Sequence, residues 1–156
     1  MISSNLLAVA HPQARRSRGF TLIEVMIATA ITGVLSSVAY PSFMGTVHKV
    51  RRTDAMVTML QVQAAEERWR AGNPSYGSLT DIRQPATTAS NHYALELRAA
   101  NENGYEVVAS ARGAQSRDRD CAVMKMSVSG LNASYASGPD AELGNGADAN
   151  RRCWNL

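Results

Sequence analysis

Glu24 is the residue whose position most requires a chemical explanation. It is the only formally charged residue in the apolar run from Phe20 to Ala39. A carboxylate near the start of a membrane-length segment is unfavourable unless another group pairs with it. The obvious partner is the amino group that cleavage between Gly19 and Phe20 would free. The spacing therefore predicts an ion pair between Glu24 and a new amino terminus.

The two cysteines, Cys121 and Cys153, are the other residues whose chemistry could matter, through a disulfide or a metal site. They lack CxxC spacing and have no nearby histidine, which argues against a metal site. Beyond a membrane segment, in an oxidising compartment, a disulfide is favoured over two free buried thiols. We predict a Cys121–Cys153 disulfide, no metal and no cofactor.

The remaining titratable residues give little support for catalysis. His48 and His92 are isolated in the sequence, without ligand spacing or a nucleophile motif nearby. Glu66 and Glu67 are adjacent on a predicted helix and so point in different directions, which is more typical of solvent or subunit contacts. The sequence predicts a protein that is not an enzyme.

The apolar run would span about 30 Å as a helix, enough to cross the hydrocarbon core. Three interpretations compete: a secretory signal cut after Ser37-Val38-Ala39, a permanent single-span anchor, or a segment retained after cleavage before Phe20. Only the third gives Glu24 a task. The basic residues that precede Gly19 place the leader in the cytoplasm and the folded domain outside; they are Arg15, Arg16 and Arg18.

Hydrophobic periodicity predicts the remaining elements. An apolar stripe continues the helix to a stop at Gly72-Asn73-Pro74, with a bend at Pro41; its members are Val47, Val50, Ala55, Met59, Val62, Ala65 and Trp69. Alternation of apolar and polar residues then predicts three strands, the first beginning at Tyr93, the second over Tyr105–Ala111 and the third over Cys121–Ser129. Gly104 is expected to supply a positive φ in the first hairpin. The segment Asn132–Asn150 has little apolar content and is predicted to be held by the disulfide and Trp154. The fold class is α+β, a long helix packed on a small antiparallel sheet.

The residues Gly19-Phe20-Thr21-Leu22-Ile23-Glu24 before an apolar helix resemble the processing site of type IV pilins. Downstream residues resemble PilE-type minor pilins, although their spacing is looser; they are Arg51–Ala55, Glu67–Trp69, Ser75-Tyr76, Gly104–Val107, Gln115, Asp118, Cys121 and Cys153-Trp154. The resemblance implies a leader over 1–19, a transmembrane and filament-core helix over 20–46, and an extracytoplasmic domain over 47–156.

The same resemblance implies specific roles. Prepilin peptidase would cleave after Gly19 and N-methylate Phe20, and Glu24 would set the register between subunits. The partners implied are other pilin subunits, the peptidase and an inner-membrane assembly platform. The chain would reside in the inner membrane before joining an extracellular pilus, which could serve motility, adhesion or DNA uptake.

DNA is a candidate ligand because of a local cluster of basic residues and not because of the net charge of the chain. Three of the 16 basic residues precede Gly19, so the remainder carries 16 − 3 = 13 basic against 13 acidic residues. Generic attraction to nucleic acid therefore loses support. The disulfide would nevertheless bring together five basic residues that could contact DNA or a partner, although aspartates lie between them in the sequence. The basic residues are Arg117, Arg119, Lys125, Arg151 and Arg152.

A pseudopilin of a type II secretion system is the alternative from another class. Its processing site would look the same, and a calcium-binding acidic loop would distinguish it. Asp140, Glu142 and Asp148 are too widely spaced to make a convincing oxygen cage. The Cys153-Trp154 ending favours the pilus subunit.

Overall fold

The computed structural model describes residues 19–143 and 146–155. All of the proposed leader except Gly19, including its three arginines, lies outside the described residues. The chain divides into two compact units, the first ending at Tyr40 and the second beginning at Pro41.

The predicted long helix is confirmed. Helix α1 covers Leu22–Arg70, a length of 49 residues, and Pro41 lies within it. The helix ends just before the predicted Gly72-Asn73-Pro74 stop, and Asn73 Nδ2 donates to the carbonyl of Trp69 at 2.8 Å.

The buried face of α1 differs from the predicted stripe at three positions, one of which is Thr58, a buried residue outside the stripe. Ala55, Met59 and Val62 are fully buried, whereas Val50 is 66% exposed. Glu66, expected at a solvent or subunit contact, is instead completely buried. Its Oε2 accepts the N–H of Gly77 at 3.0 Å, so this carboxylate fastens the loop after α1 to the helix.

The sheet is an antiparallel meander in the order β1-β2-β3-β4. Its strands are β1 Tyr93–Arg98, β2 Gly104–Ala111, β3 Val123–Ser129 and β4 Asn132–Gly138. The third strand begins two residues later than predicted, because Cys121 belongs to a short 3-10 helix, Arg119–Cys121. A second 3-10 helix precedes it at Gly113–Arg117.

One face of this sheet packs with α1 in the hydrophobic core. Met124, Met126 and Val128 alternate inward on β3, as the period-two pattern predicted. Tyr93 and Tyr105 contribute the largest fully buried side chains from the neighbouring strands. The core therefore joins the second half of α1 to three of the four strands.

The prediction for Gly104 was wrong. Positive φ in the first hairpin occurs at Ala99 (φ 52°), and Gly104 instead opens β2. A Cβ on Gly104 would lie 2.1 Å from the carbonyl oxygen of Val128, so close approach of two strands, rather than a turn, requires glycine here.

The segment Asn132–Asn150 is more regular than its composition suggested. Its first part forms β4, which pairs along the whole of β3. Its last part begins helix α2, Ala147–Trp154. Small residues such as Ala133 and Ser134 offer few side-chain contacts, so the backbone hydrogen bonds of an edge strand supply the order.

Candidate functional site

The start of α1 carries a capping box. The Thr21 N–H donates to Glu24 Oε2 at 3.4 Å, and the Glu24 N–H donates to Thr21 Oγ1 at 3.3 Å. This reciprocal pair satisfies two backbone donors that the first turn of a helix leaves free. Glu24 thus has a local structural role that sequence analysis missed, although the Thr-x-x-Glu spacing signals it.

The first turns of α1 present apolar side chains outward. Phe20 is 81% exposed, and an 18-residue window of α1 has a mean hydropathy of 1.9, enough for the helix to cross a membrane. Thr29, Thr32 and Ser37 donate their hydroxyls to carbonyls of their own helix. Their polarity is therefore satisfied internally, which suits a helix in lipid.

At the opposite end of the chain, the predicted Cys121–Cys153 disulfide is confirmed. Trp154 also anchors the tail as expected, since it is buried and its Nε1 donates to the Ala136 carbonyl at 3.2 Å. Its ring packs at a tilt against Tyr135, with 4.7 Å between ring centroids. These contacts fix α2 against β4 and against the 3-10 helix Arg119–Cys121.

Arg52 links α1 to the disulfide region. Its Nε and Nη2 donate to the two carboxylate oxygens of Asp118 at 2.6 and 2.8 Å. Its Nη1 also donates to the Arg152 carbonyl at 3.3 Å, near the carboxyl end of α2. Asp118 is only 8% exposed, so this bidentate pair is shielded from water and positions α2 beside α1.

A buried polar network supports the same pair. The Nε2 of Gln115, which is fully buried, donates to Asp118 Oδ2 and to the Tyr93 hydroxyl, both at 3.0 Å. Its Oε1 accepts from His48 Nδ1 at 3.0 Å. Burial raises the pKa of Tyr93 to about 12, against the smaller opposing effect of the Gln115 hydrogen bond. The tyrosine therefore stays a neutral hydrogen-bonding group at any physiological pH.

These elements form a basic groove of about 600 Å³, lined by Lys49, Arg52, Asp148, Arg151, Arg152 and Asn155. Arg151 pairs with Asp148, and Arg52 pairs with Asp118. Four cations against two carboxylates leave a formal charge of +2. The exposed arginines of α2 can therefore contact an anionic polymer.

The candidate basic residues are only partly brought together. Arg151 and Arg152 line the basic groove, while Arg117 and Arg119 are exposed on the two 3-10 helices. Lys125 lies on β3, where its Nζ pairs with Glu106 at 3.0 Å, and this contact lowers the pKa of Glu106.

Lys49 and Arg52 were not among the predicted basic residues. Both come from α1, about 100 residues before the arginines of α2. Charge spacing along the helix could have suggested an exposed basic face, but only the tertiary fold brings it beside α2.

Comparison with known proteins gives two family matches. Residues 41–125, more than half of the chain, match the family described as "Type IV minor pilin ComP, DNA uptake sequence receptor". Residues 14–40 match the prokaryotic N-terminal methylation motif.

Individual relatives include both pilins and pseudopilins. Type II secretion system core protein G of Klebsiella pneumoniae is 34% identical over 93 residues, covering 58% of this chain and 64% of that protein. Core protein G of Escherichia coli is 27% identical over 90% of this chain and 93% of its own length. The type IV major pilin PilA of Myxococcus xanthus is 29% identical over 54% of this chain and 39% of that protein. The chain spans 40% to 64% of the length of the first core protein G relatives that it matches.

Proposed function

The chain belongs to the type IV minor pilin family, and we propose that it is processed between Gly19 and Phe20, N-methylated on Phe20, and built into an extracellular pilus. Pilins assemble with other pilin subunits, and the apolar start of α1 makes this chain a membrane-anchored one. We also propose that prepilin peptidase removes the leader and that an inner-membrane platform assembles the subunit. In this proposal the leader covers residues 1–19, the transmembrane and filament-core helix segment covers 20–46, and the extracytoplasmic domain covers 47–156.

The observation that carries this proposal is the capping box at the start of an exposed apolar helix. Thr21 and Glu24 lie after the proposed cleavage site, so the helix start remains complete once the leader is removed. The Glu24 carboxylate accepts one weak hydrogen bond from Thr21 and keeps lone pairs for the amine of a neighbouring Phe20. An ion pair there would neutralise both charges within apolar surroundings.

Mass analysis of the intact chain from sheared surface filaments tests the processing. We expect a chain that begins at methylated Phe20. A chain that begins at Tyr40 would mean that an ordinary signal peptidase removes the apolar helix, and it would refute the filament role of Glu24.

Two variants distinguish a role of Glu24 in setting the register between subunits from its role in capping α1. Glu24→Gln keeps a capping oxygen but removes the charge, whereas Thr21→Ala removes the cap side chain, at a cost of about 1 kcal/mol. We expect Glu24→Gln to reduce the amount of chain in sheared filaments and Thr21→Ala to leave it nearly unchanged. Equal losses from both variants would assign Glu24 to capping alone.

Within the same pilus, we propose that the basic groove contacts the phosphates of duplex DNA, as the family description suggests for relatives. The groove places exposed Arg151 and Arg152 beside Lys49 of α1. Each phosphate that a cation neutralises releases counterions, so binding should weaken steeply with salt. Removing one such cation should lower the slope of log affinity against log salt by about 1.

Binding of duplex DNA by the full chain in neutral detergent tests the groove. We expect Lys49→Gln with Arg151→Gln to weaken binding and lower the salt slope by about 2. Arg98→Gln is a matched control because Arg98 is exposed on β1 and is paired with Glu96, outside the groove. Equal effects from both proteins would exclude a specific role for the groove.

A pseudopilin role is the second candidate, favoured by the core protein G relatives. Among Asp140, Glu142 and Asp148, the Asp140 carboxylate already accepts the backbone N–H of Glu142 at 2.9 Å. Calcium titration of the full chain followed by calorimetry distinguishes the roles. Tight calcium binding would favour the secretion pseudopilin over the pilus subunit.

A further inference from the structure

Four exposed cations lie around one buried ion pair near the start of the second unit. The pair is Arg52 with Asp118, and each cation is close to one of its two members along the chain or through a hydrogen bond. The four residues, called here the basic cluster, are Lys49, Arg117, Arg119 and Arg152. We propose that the basic cluster docks the second unit on anionic phospholipid headgroups of the membrane that holds the apolar helix.

The fold brings the basic cluster together from three segments of the chain. Its two arginines on the 3-10 helices lie directly before and after Asp118. Lys49 lies one turn before Arg52 on α1, and both residues line the basic groove together with Arg152. Arg52 Nη1 also donates to the Arg152 carbonyl at 3.3 Å. The Arg52–Asp118 pair therefore holds the backbone of all four cations in one region.

The basic cluster is available to an external anion. All four residues are exposed, and among residues 19–143 and 146–155 none of them forms an ion pair within 4 Å. Arg52 and Arg151 add two more cations to the region, and three aspartates oppose them: Asp118, Asp120 and Asp148. Six cations against three carboxylates leave a formal charge of +3. The region therefore attracts a negatively charged surface.

The connection to the apolar run makes a lipid surface the nearest source of anions. The run ends at Ala39, and Lys49 follows it by ten residues. Ten residues of helix rise about 15 Å, and headgroups extend about 5–8 Å beyond the hydrocarbon core. With Ala39 at the edge of that core, Lys49 of an upright helix lies about 7–10 Å from the headgroups, within about one Debye length at 0.1 M salt. The chain itself holds headgroups near the basic cluster, in whatever direction the helix points.

Exposed apolar residues lie between the apolar run and the basic cluster. Tyr40 and Phe43 follow Ala39 and are 64% and 66% exposed. Val50, beside Lys49, is 66% exposed as well. Aromatic rings favour the boundary between hydrocarbon and water, and basic side chains favour the anionic headgroups just outside it. The order of residues along α1 therefore matches the order of layers at a membrane surface.

Docking uses two residues that also line the basic groove proposed for DNA, Lys49 and Arg152. A subunit docked on lipid therefore has this groove covered, and leaving the membrane for a pilus uncovers it. The inference rests on the proposed function in one respect, because both require that the apolar helix stays attached to the second unit.

Energy transfer between the second unit and labelled lipid measures docking. The full chain carrying Ala114→Cys is reconstituted in vesicles and labelled from outside with a membrane-impermeant donor dye, since Ala114 is exposed on the first 3-10 helix. The native cysteines are joined in a disulfide, so only the new thiol reacts. We expect more transfer to a headgroup acceptor in vesicles of equal parts phosphatidylglycerol and phosphatidylcholine than in pure phosphatidylcholine. The difference should disappear as salt rises to about 1 M, where the Debye length is about 3 Å.

Paired variants test the residues themselves. Arg117→Gln with Arg119→Gln removes two cations of the basic cluster without breaking an ion pair among the described residues. Each basic residue near an anionic surface strengthens binding about fivefold, so the docking equilibrium constant should fall about 25-fold. The control is Arg68→Gln with Arg83→Gln, which also removes two exposed cations, but from the end of α1 and the loop after it. The control should retain docking.

A second label position tests which end of the second unit approaches the lipid. Asn103→Cys places the donor in the β1–β2 turn, where the Glu102 carbonyl accepts from Arg70 Nη2 at 3.5 Å. Arg70 lies about 32 Å beyond Lys49 along α1, at 1.5 Å per residue. The rise in transfer caused by phosphatidylglycerol should therefore be smaller from Asn103→Cys than from Ala114→Cys.

The proposal is overturned by transfer that does not depend on phosphatidylglycerol, by an equal loss in the control variant, or by an equal rise at both label positions. Displacement by inorganic phosphate at constant ionic strength would also overturn it, because the cluster would then bind dissolved phosphate. The filament function fails separately. A mature chain that begins at Tyr40 would end the filament proposal, while the full chain in vesicles keeps its helix and still decides docking. Absence of docking, together with a methylated Phe20 chain in sheared filaments, would end this inference alone.

Discussion

Replacing Asp118 with asparagine should destabilise the second unit more than breaking any of its exposed ion pairs. The variant keeps the shape of the side chain but removes the charge that accepts two hydrogen bonds from Arg52, at 2.6 and 2.8 Å. Arg52 then remains largely buried beside a neutral amide, and the bond from Gln115 Nε2 to Oδ2 is also disturbed.

The magnitude follows from burial. Removing one partner of a fully buried ion pair costs about 3–5 kcal/mol because the remaining charge is left without compensation. Arg52 is 17% exposed and retains its bond to the Arg152 carbonyl, so we expect a cost at or just below the bottom of that range, about 2–3 kcal/mol. For a domain of this size, each kcal/mol shifts the melting temperature by about 4–8 °C, so Tm should fall by about 10 °C or more.

Thermal unfolding of the full chain in detergent, followed by near-ultraviolet circular dichroism, measures this change. The buried Trp154 and the partly buried Tyr135 report the order of the C-terminal region. The matched control is Glu96→Gln, which breaks the exposed pair with Arg98 and should leave Tm unchanged. An Asp118→Asn protein with the same Tm as the Glu96→Gln control would refute the argument that burial makes the Arg52–Asp118 pair important for stability. Near recovery of Tm in a double variant with Arg52→Met would support it.

Three other perturbations have clear expected outcomes. Gly104→Ala forces a Cβ against a strand carbonyl and should cost about 1–3 kcal/mol, whereas Gly72→Ala meets nothing within 4 Å and should not change Tm measurably. Burial raises the pKa of Glu66 above 4.5, so the folded state binds its proton more tightly than the unfolded state. Tm should therefore fall as pH rises from 4.5 through the folded-state pKa of Glu66. The variant Glu66→Gln should remove this pH dependence. Replacing Cys121 and Cys153 together with serine should cost about 3.5–4 kcal/mol on the chain-entropy model; a wild-type Tm that is unchanged by reductant under unfolding conditions would contradict this.

Periodicity predicted the elements that bury a large apolar face. The 49-residue helix and the inward face of β3 follow from repeated apolar spacing, which is a local property of the sequence. Strand β4 could not be found in this way. Asn132–Gly138 has small, polar side chains, and it becomes a strand because β3 offers a complete row of backbone partners.

The candidate site shows the same division. The disulfide and the Trp154 anchor were predictable because cysteine and tryptophan have few alternative uses near the end of a domain expected to lie in an oxidising compartment. The Arg52–Asp118 pair joins residues 66 positions apart, and nothing in the spacing of charges identifies which arginine meets which aspartate. The prediction for Glu66 was wrong for a related reason. Its carboxylate is buried against Gly77, and only the folded loop brings Gly77 back to the helix.

The capping box at Thr21 and Glu24 has a consequence for the timing of assembly. If the leader is cut after Gly19, as proposed, both partners of the cap stay with the mature chain, and the cut would not force the helix end to refold. The Glu24 side chain also folds back onto the first turn, where its Oε2 accepts the Thr21 N–H at 3.4 Å, and this contact restricts its rotamers. Part of the conformational entropy that the proposed pairing with the amine of another subunit would cost is therefore already lost in the free subunit, and a subunit held in the membrane would be ready for rapid incorporation.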